Sequence, residues 1–91
     1  MITAIVLIQA THDRIPEVAQ ALADLEGVSE VYSVAGRHDL AVIVRVKDND
    51  RLADVVTKDI RKIEGIESSE TLIAFRVYSR HDLERMFSIG M

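Results

Sequence analysis

Cysteine is absent from the 91 residues, and so is tryptophan. Without thiols, disulfide frameworks, thiolate metal centres and cysteine nucleophiles are excluded, and a reducing compartment is permitted. Aromatic residues are only 4% of the chain, too few to suggest an aromatic platform on which bases could stack. There is also no block of one charge. The 11 Lys and Arg are interspersed with 15 Asp and Glu for a formal net charge of -4, which argues against a direct grip on a phosphate backbone. The apolar start, MITAIVLIQA, lacks both a basic leader and the roughly 20 residues of a membrane span. It is read as a strand, and the protein as soluble and cytoplasmic.

What remains is an apolar chain, 48% hydrophobic, whose interior must be built from Val, Ile, Leu and Ala. A single domain of this size buries roughly 60–65% of its unfolded surface, so association would add to a modest core. Ile2–Ala10 is too short and too β-branched for an isolated helix, and it is apolar on both alternations, as in a strand covered on both faces. Between Asp13 and Gly27, the residues Ile15, Val18, Leu22 and Leu25 recur at helical spacing, with Pro16 in the first turn and Gly27 at the end. Val28–Ala35 and Leu40–Lys47 read as the two strands of a hairpin. Asp48 or Asn49 then caps a second helix whose stripe is Leu52, Val55, Val56, Ile60 and Ile63, ended by Gly65.

A final strand is expected over Ile66–Tyr78, opening on the polar stretch Glu67–Thr71. Ser79 with Asp82 predicts a capping box for a short terminal helix with Leu83, Met86 and Phe87 on its apolar face. Residues 1–79 are therefore taken as the domain and 80–91 as a helical tail that should pack on something, a neighbouring subunit included. The two halves echo each other: Leu25-Glu26-Gly27-Val28 recurs as Ile63-Glu64-Gly65-Ile66. The order βαββαβ with right-handed crossovers predicts an α+β, ferredoxin-like fold, a four-stranded antiparallel sheet with both helices on one face. Strands one, three and four would then leave an apolar patch on the other face, so the chain is expected to dimerise through the sheet.

Between the hairpin strands stands Gly36-Arg37-His38-Asp39. Glycine can take positive φ, and Asp39 sets a carboxylate beside backbone donors on a rigid two-stranded base, an arrangement suited to gripping a small ligand. The plainer reading is an ordinary turn whose charges keep the tip soluble. His12, His38 and His81 form no closely spaced pair, so no metal site is expected. Arg-His-Asp-Leu occurs at both Arg37–Leu40 and Arg80–Leu83, which is taken as chance recurrence in different settings.

Three segments, IVLIQA, EGVSEVYSVAGRHDLAVIVRVKD and IRKIEGIESSETLIAF, carry a resemblance. In order and spacing they are similar to the ligand-binding (RAM) domain of the Lrp/AsnC, or feast/famine, transcription regulators, over about residues 2–75. That resemblance implies sheet-paired dimers that assemble further, with a free amino acid bound in crevices between dimers. It implies a stand-alone form, since Met1 leads directly into the first strand where full-length members carry a helix-turn-helix. It places the binding turn, glycine, two variable residues and aspartate, on Gly36, Arg37, His38 and Asp39. It also brings Ser69 and Thr71, where members commonly have two threonines, from a facing subunit. The chain departs from the pattern at Arg37, often acidic in the family, and at His38, often Tyr or Trp. Arginine there can attract an acidic side chain, and histidine titrates near neutrality, so ligand choice and pH response are expected to differ.

No hydroxyl here carries a sequence signature of activation, so no catalysis and no cofactor are expected. Two alternatives stand beside the amino-acid sensor. One is a pure assembly module, and the other a small dimeric α+β-barrel enzyme, which would need a roomy cavity where this sheet has Val, Ile and Leu. The expected partners are copies of the chain, a free amino acid and a full-length Lrp/AsnC relative, with no direct nucleic acid and no membrane.

Overall fold

In the computed structural model, which describes residues 1–78 and Arg80, β1 (Ile2–Ala10) lies inside the sheet with a strand on either side. Helices cover only one of its faces, so of its two apolar alternations Ala4, Val6 and Ile8 are buried while Ile5 and Leu7 are partly exposed. With β2 (Val28–Ser33), β3 (Leu40–Val46) and β4 (Ile66–Ile73), the order is β2-β3-β1-β4 and each neighbouring pair is antiparallel. A 3-10 turn at His12–Arg14 leads into α1 (Ile15–Ala23), and α2 (Asn49–Asp54) opens the second crossover. This is the expected ferredoxin-like architecture.

One core joins the layers. Val18 and Leu22 of α1, and Leu52, Val55 and Ile60 of the second crossover, pack on Ala4, Val6, Ile8, Leu40, Val42 and Val44. The alternate residues, Ile5 and Leu7 of β1 and Ala41 and Ile43 of β3, face the other way and are only partly buried. The helix-free face is therefore apolar at its centre, and Leu72 of β4, 45% exposed, extends the patch.

Asp48 is the cap of α2, its Oδ1 accepting from the Arg51 N–H at 2.8 Å. The second crossover is not one regular helix. α2 passes into a π turn at Val55–Asp59 and a 3-10 turn at Ile60–Lys62. Val55 and Ile60 are both buried yet five positions apart, a spacing that 3.6 residues per turn would swing off the core. The wide turn, closed by the Ile60 N–H on the Val55 carbonyl, brings Ile60 back.

The last strand is shorter than its sequence suggests. Ile73 pairs with Ala4 and the Ala74 N–H donates to the Thr3 carbonyl at 2.9 Å, after which the chain leaves β1 although that strand runs on to Ile2. Phe75, Val77 and Tyr78 consequently stand 98%, 61% and 85% exposed. The expected terminal helix, which starts at Ser79, lies outside the described residues apart from Arg80. The internal echo has a structural cause: Gly27 and Gly65 sit at φ +96 and +100, and a Cβ on either would come within 2.9 Å of Val46 or Val18 respectively. Their carbonyls accept from the Arg45 and Thr11 N–H groups at 2.8 and 2.7 Å, so each is a helix-to-strand turn pinned to a neighbouring element.

Candidate functional site

At the hairpin tip the β1–β3 ladder ends with Ile8 opposite Leu40. Asp39 carries it further with different atoms. Its N–H donates to the Ile8 carbonyl at 2.9 Å, its carbonyl accepts from the Val34 N–H at 3.0 Å, and its Oδ2 accepts from the Ala10 N–H at 2.9 Å. The carboxylate thus satisfies a strand donor that β3, turning away into the tip, cannot reach. Gly36 takes φ +133, a conformation that L side chains rarely adopt, with open space where a Cβ would be.

The tip is held from the side as well. The Gln9 side chain donates to the Arg37 carbonyl at 2.9 Å, and the Ser68 hydroxyl donates to the Gln9 side-chain oxygen at 2.8 Å. His38 Nε2 lies 3.8 Å from Glu70 Oε1, an ion pair whenever the imidazole carries a proton. Sequence reasoning alone does not single out Gln9, Ser68 and Glu70. Gln9 does carry a signal, as a lone amide near the end of an otherwise apolar strand.

Within one protomer the structure brings together Gly36, Arg37, His38 and Asp39, but not Ser69 and Thr71. By register Ser69 pairs with Ile8 and Thr71 with Val6, whose side chains face the helices, whereas Gln9, Ser68 and Glu70 share the open face. Thr71 lines a groove against α2 instead. Along the far edge of the open face, Tyr32 donates to Glu30, and Arg45 lies 3.6 Å from the same carboxylate. That hydrogen bond and the negative charge of Glu30 push the Tyr32 phenol above its usual value, so it remains a donor at neutral pH.

A second concavity, about 600 Å³, lies at the other end of the sheet between Gly27 and the start of α2. Arg45, Lys47 and Arg51 there face Glu26, Asp48, Asp50 and Asp54, so neither sign prevails. Among the described residues no three metal-ligating side chains converge, and no helix is long and apolar enough to cross a membrane.

Because Asp39 ties two strands, removing its carboxylate should be felt in stability before it is felt in binding. Asp39→Ala strands the Ala10 N–H and is expected to cost about 1–3 kcal/mol. At about 4–8 °C per kcal/mol for a domain of this size, the loss reads directly in a melting curve. Asp39→Asn, which keeps an acceptor oxygen, should lose less.

The chain matches the family model described as Lrp/AsnC ligand binding domain over residues 3–83. It is 51% identical to the crystal structure of TTHA0845 from Thermus thermophilus, with a TM-score of 0.82 over 88% of this chain and 100% of that one. Against the structure of E. coli AsnC the identity is 25% and the TM-score 0.80, covering 86% of this chain and 53% of the other. A curated relative, the uncharacterized HTH-type transcriptional regulator PF1231 of Pyrococcus furiosus, is 35% identical over 72 residues, 79% of this chain and 49% of its own. The chain spans half or less of the length of such curated relatives, from 38% to 50%.

Proposed function

The chain belongs to the Lrp/AsnC ligand binding domain family, and from that premise we propose that it is an effector-sensing domain that binds a free amino acid. Two copies pair through their open faces, and pairs assemble further. The amino acid sits in the seam between pairs, held by Gly36, Arg37, His38 and Asp39 of one chain and by Ser69 and Thr71 of another. The remaining Asp39 oxygen suits the ligand's ammonium, and exposed N–H groups of the turn suit its carboxylate. Since the site is divided between pairs, ligand favours the assembly that completes it, and sensing takes the form of ligand-biased oligomerisation. A full-length relative that shares the seam would be regulated by co-assembly. The role is binding, not turnover.

The observation that carries this reading is the bracing of the tip. Bonds from Ile8, Gln9 and Ala10 fix the turn before any ligand arrives, so little ordering is left to oppose binding. A thermal-shift scan of the twenty amino acids tests it. At a hundredfold excess over Kd, the cognate amino acid should add about 2.7 kcal/mol, raising Tm by roughly 10 °C or more. No shift with any of the twenty would favour a pure assembly module, in which the tip only meets a neighbouring chain.

A further inference from the structure

Arg37 is exposed, and among the described residues its guanidinium has no hydrogen-bond or ion-pair partner, although its carbonyl is held by Gln9. The two carboxylates that take part in the contacts of the tip face other groups. Asp39 Oδ2 accepts from the Ala10 N–H, and Glu70 lies opposite His38. The backbone adds donors of its own, because the N–H groups of Gly36, Arg37 and His38 meet no acceptor among the described residues, whereas those of Val34 and Asp39 on either side are bonded. Approach is open as well, with nothing within 4 Å of the position that a Gly36 Cβ would take. A turn with an unpaired guanidinium beside unpaired N–H groups accommodates more negative charge than the single carboxylate common to all amino acids.

We infer that the effector is an amino acid with a second carboxylate on its side chain, aspartate or glutamate, and that Arg37 selects it. The inference rests on the binding role proposed above, in which Asp39 takes the ammonium and the turn N–H groups take the α-carboxylate. Arg37 and Asp39 stand two positions apart on one turn, so a ligand with charges of both signs finds a counterpart for each. The guanidinium fork takes a carboxylate through two parallel N–H···O bonds. An amide side chain offers one uncharged oxygen and sets its own donors against those of the fork. Selection therefore falls between an acid and its isosteric amide.

Isothermal titration of the full chain with aspartate, asparagine, glutamate and glutamine is the test. One of the two acids should bind roughly 10- to 100-fold more tightly than its own amide, the range of a hydrogen bond to a charged group. Arg37→Gln should erase that ratio, and Arg37→Lys should keep part of it, retaining the charge without the fork. Both variants should melt as the parent does, since the side chain touches nothing in the described structure. Equal binding of acid and amide, a ratio that survives Arg37→Gln, or equally tight binding of succinate and glutarate, which lack the ammonium, would each overturn the selection by Arg37. A neutral amino acid bound more tightly than either acid would do the same while leaving the binding role in place. Binding of none of the twenty would overturn the role and the selection together.

Discussion

Ile8→Ala is expected to lower the unfolding free energy by about 2–5 kcal/mol, the range for removing a fully buried branched side chain without refilling its space. Ile8 is 0% exposed and belongs to the core shared by the sheet and both crossovers. Its carbonyl also receives the Asp39 N–H, so the residue joins the interior to the hairpin tip. Total stabilities of small domains are only about 5–15 kcal/mol, so the variant should sit close to unfolding at moderate temperature. Denaturant titration at one fixed protein concentration gives the difference, since a paired chain melts in a concentration-dependent way. A loss below about 1 kcal/mol would mean that the interior refills the space, contrary to a close-packed core.

A charge placed on the open face should separate the pairs while leaving the fold intact. Ile5 pairs with Ile43 on one side and Leu72 on the other, in the middle of the apolar patch. In a single chain, lysine at this position can lift its ammonium into water along its aliphatic stem. In a face-to-face pair, two such ammonium groups, one from each copy, are buried without partners, at several kcal/mol each after relaxation. Ile5→Lys is therefore expected to raise the dissociation constant of the pair by roughly 100-fold or more. Sedimentation equilibrium measures the change, and circular dichroism checks that the strand content is kept. An unchanged dissociation constant would place the pairing surface elsewhere.

The fold was legible because its signals are local. Helical spacing at Val18 and Leu22, a cap at Asp48 and the paired Leu/Ile-Glu-Gly turns each report on a few neighbouring residues, and the element order followed from them. The errors came where one element depends on another. β4 stops at Ile73, where the chain leaves β1 although that strand runs on to Ile2, which nothing in Ala74–Tyr78 announces. The wide turn at Val55–Asp59 follows from the core's demand for Ile60.

The hairpin tip was half readable. Gly36 and Asp39 stand out as turn residues between two apolar runs, but the use of the Asp39 carboxylate on the Ala10 N–H depends on a contact 29 positions away. The Ser68 to Gln9 bond spans 59 positions and appears only once the β1–β4 register is known. The same register sends Ser69 and Thr71 to the helix-bearing side of the sheet, the opposite face from Gln9, Ser68 and Glu70.

The most direct measurement is the position of the bound effector. A crystal structure grown with the amino acid that raises Tm most should show it between two pairs, touching the Gly36–Asp39 turn of one chain and Ser69 and Thr71 of another. An amino acid seated wholly within one chain, or far from that turn, would contradict the account.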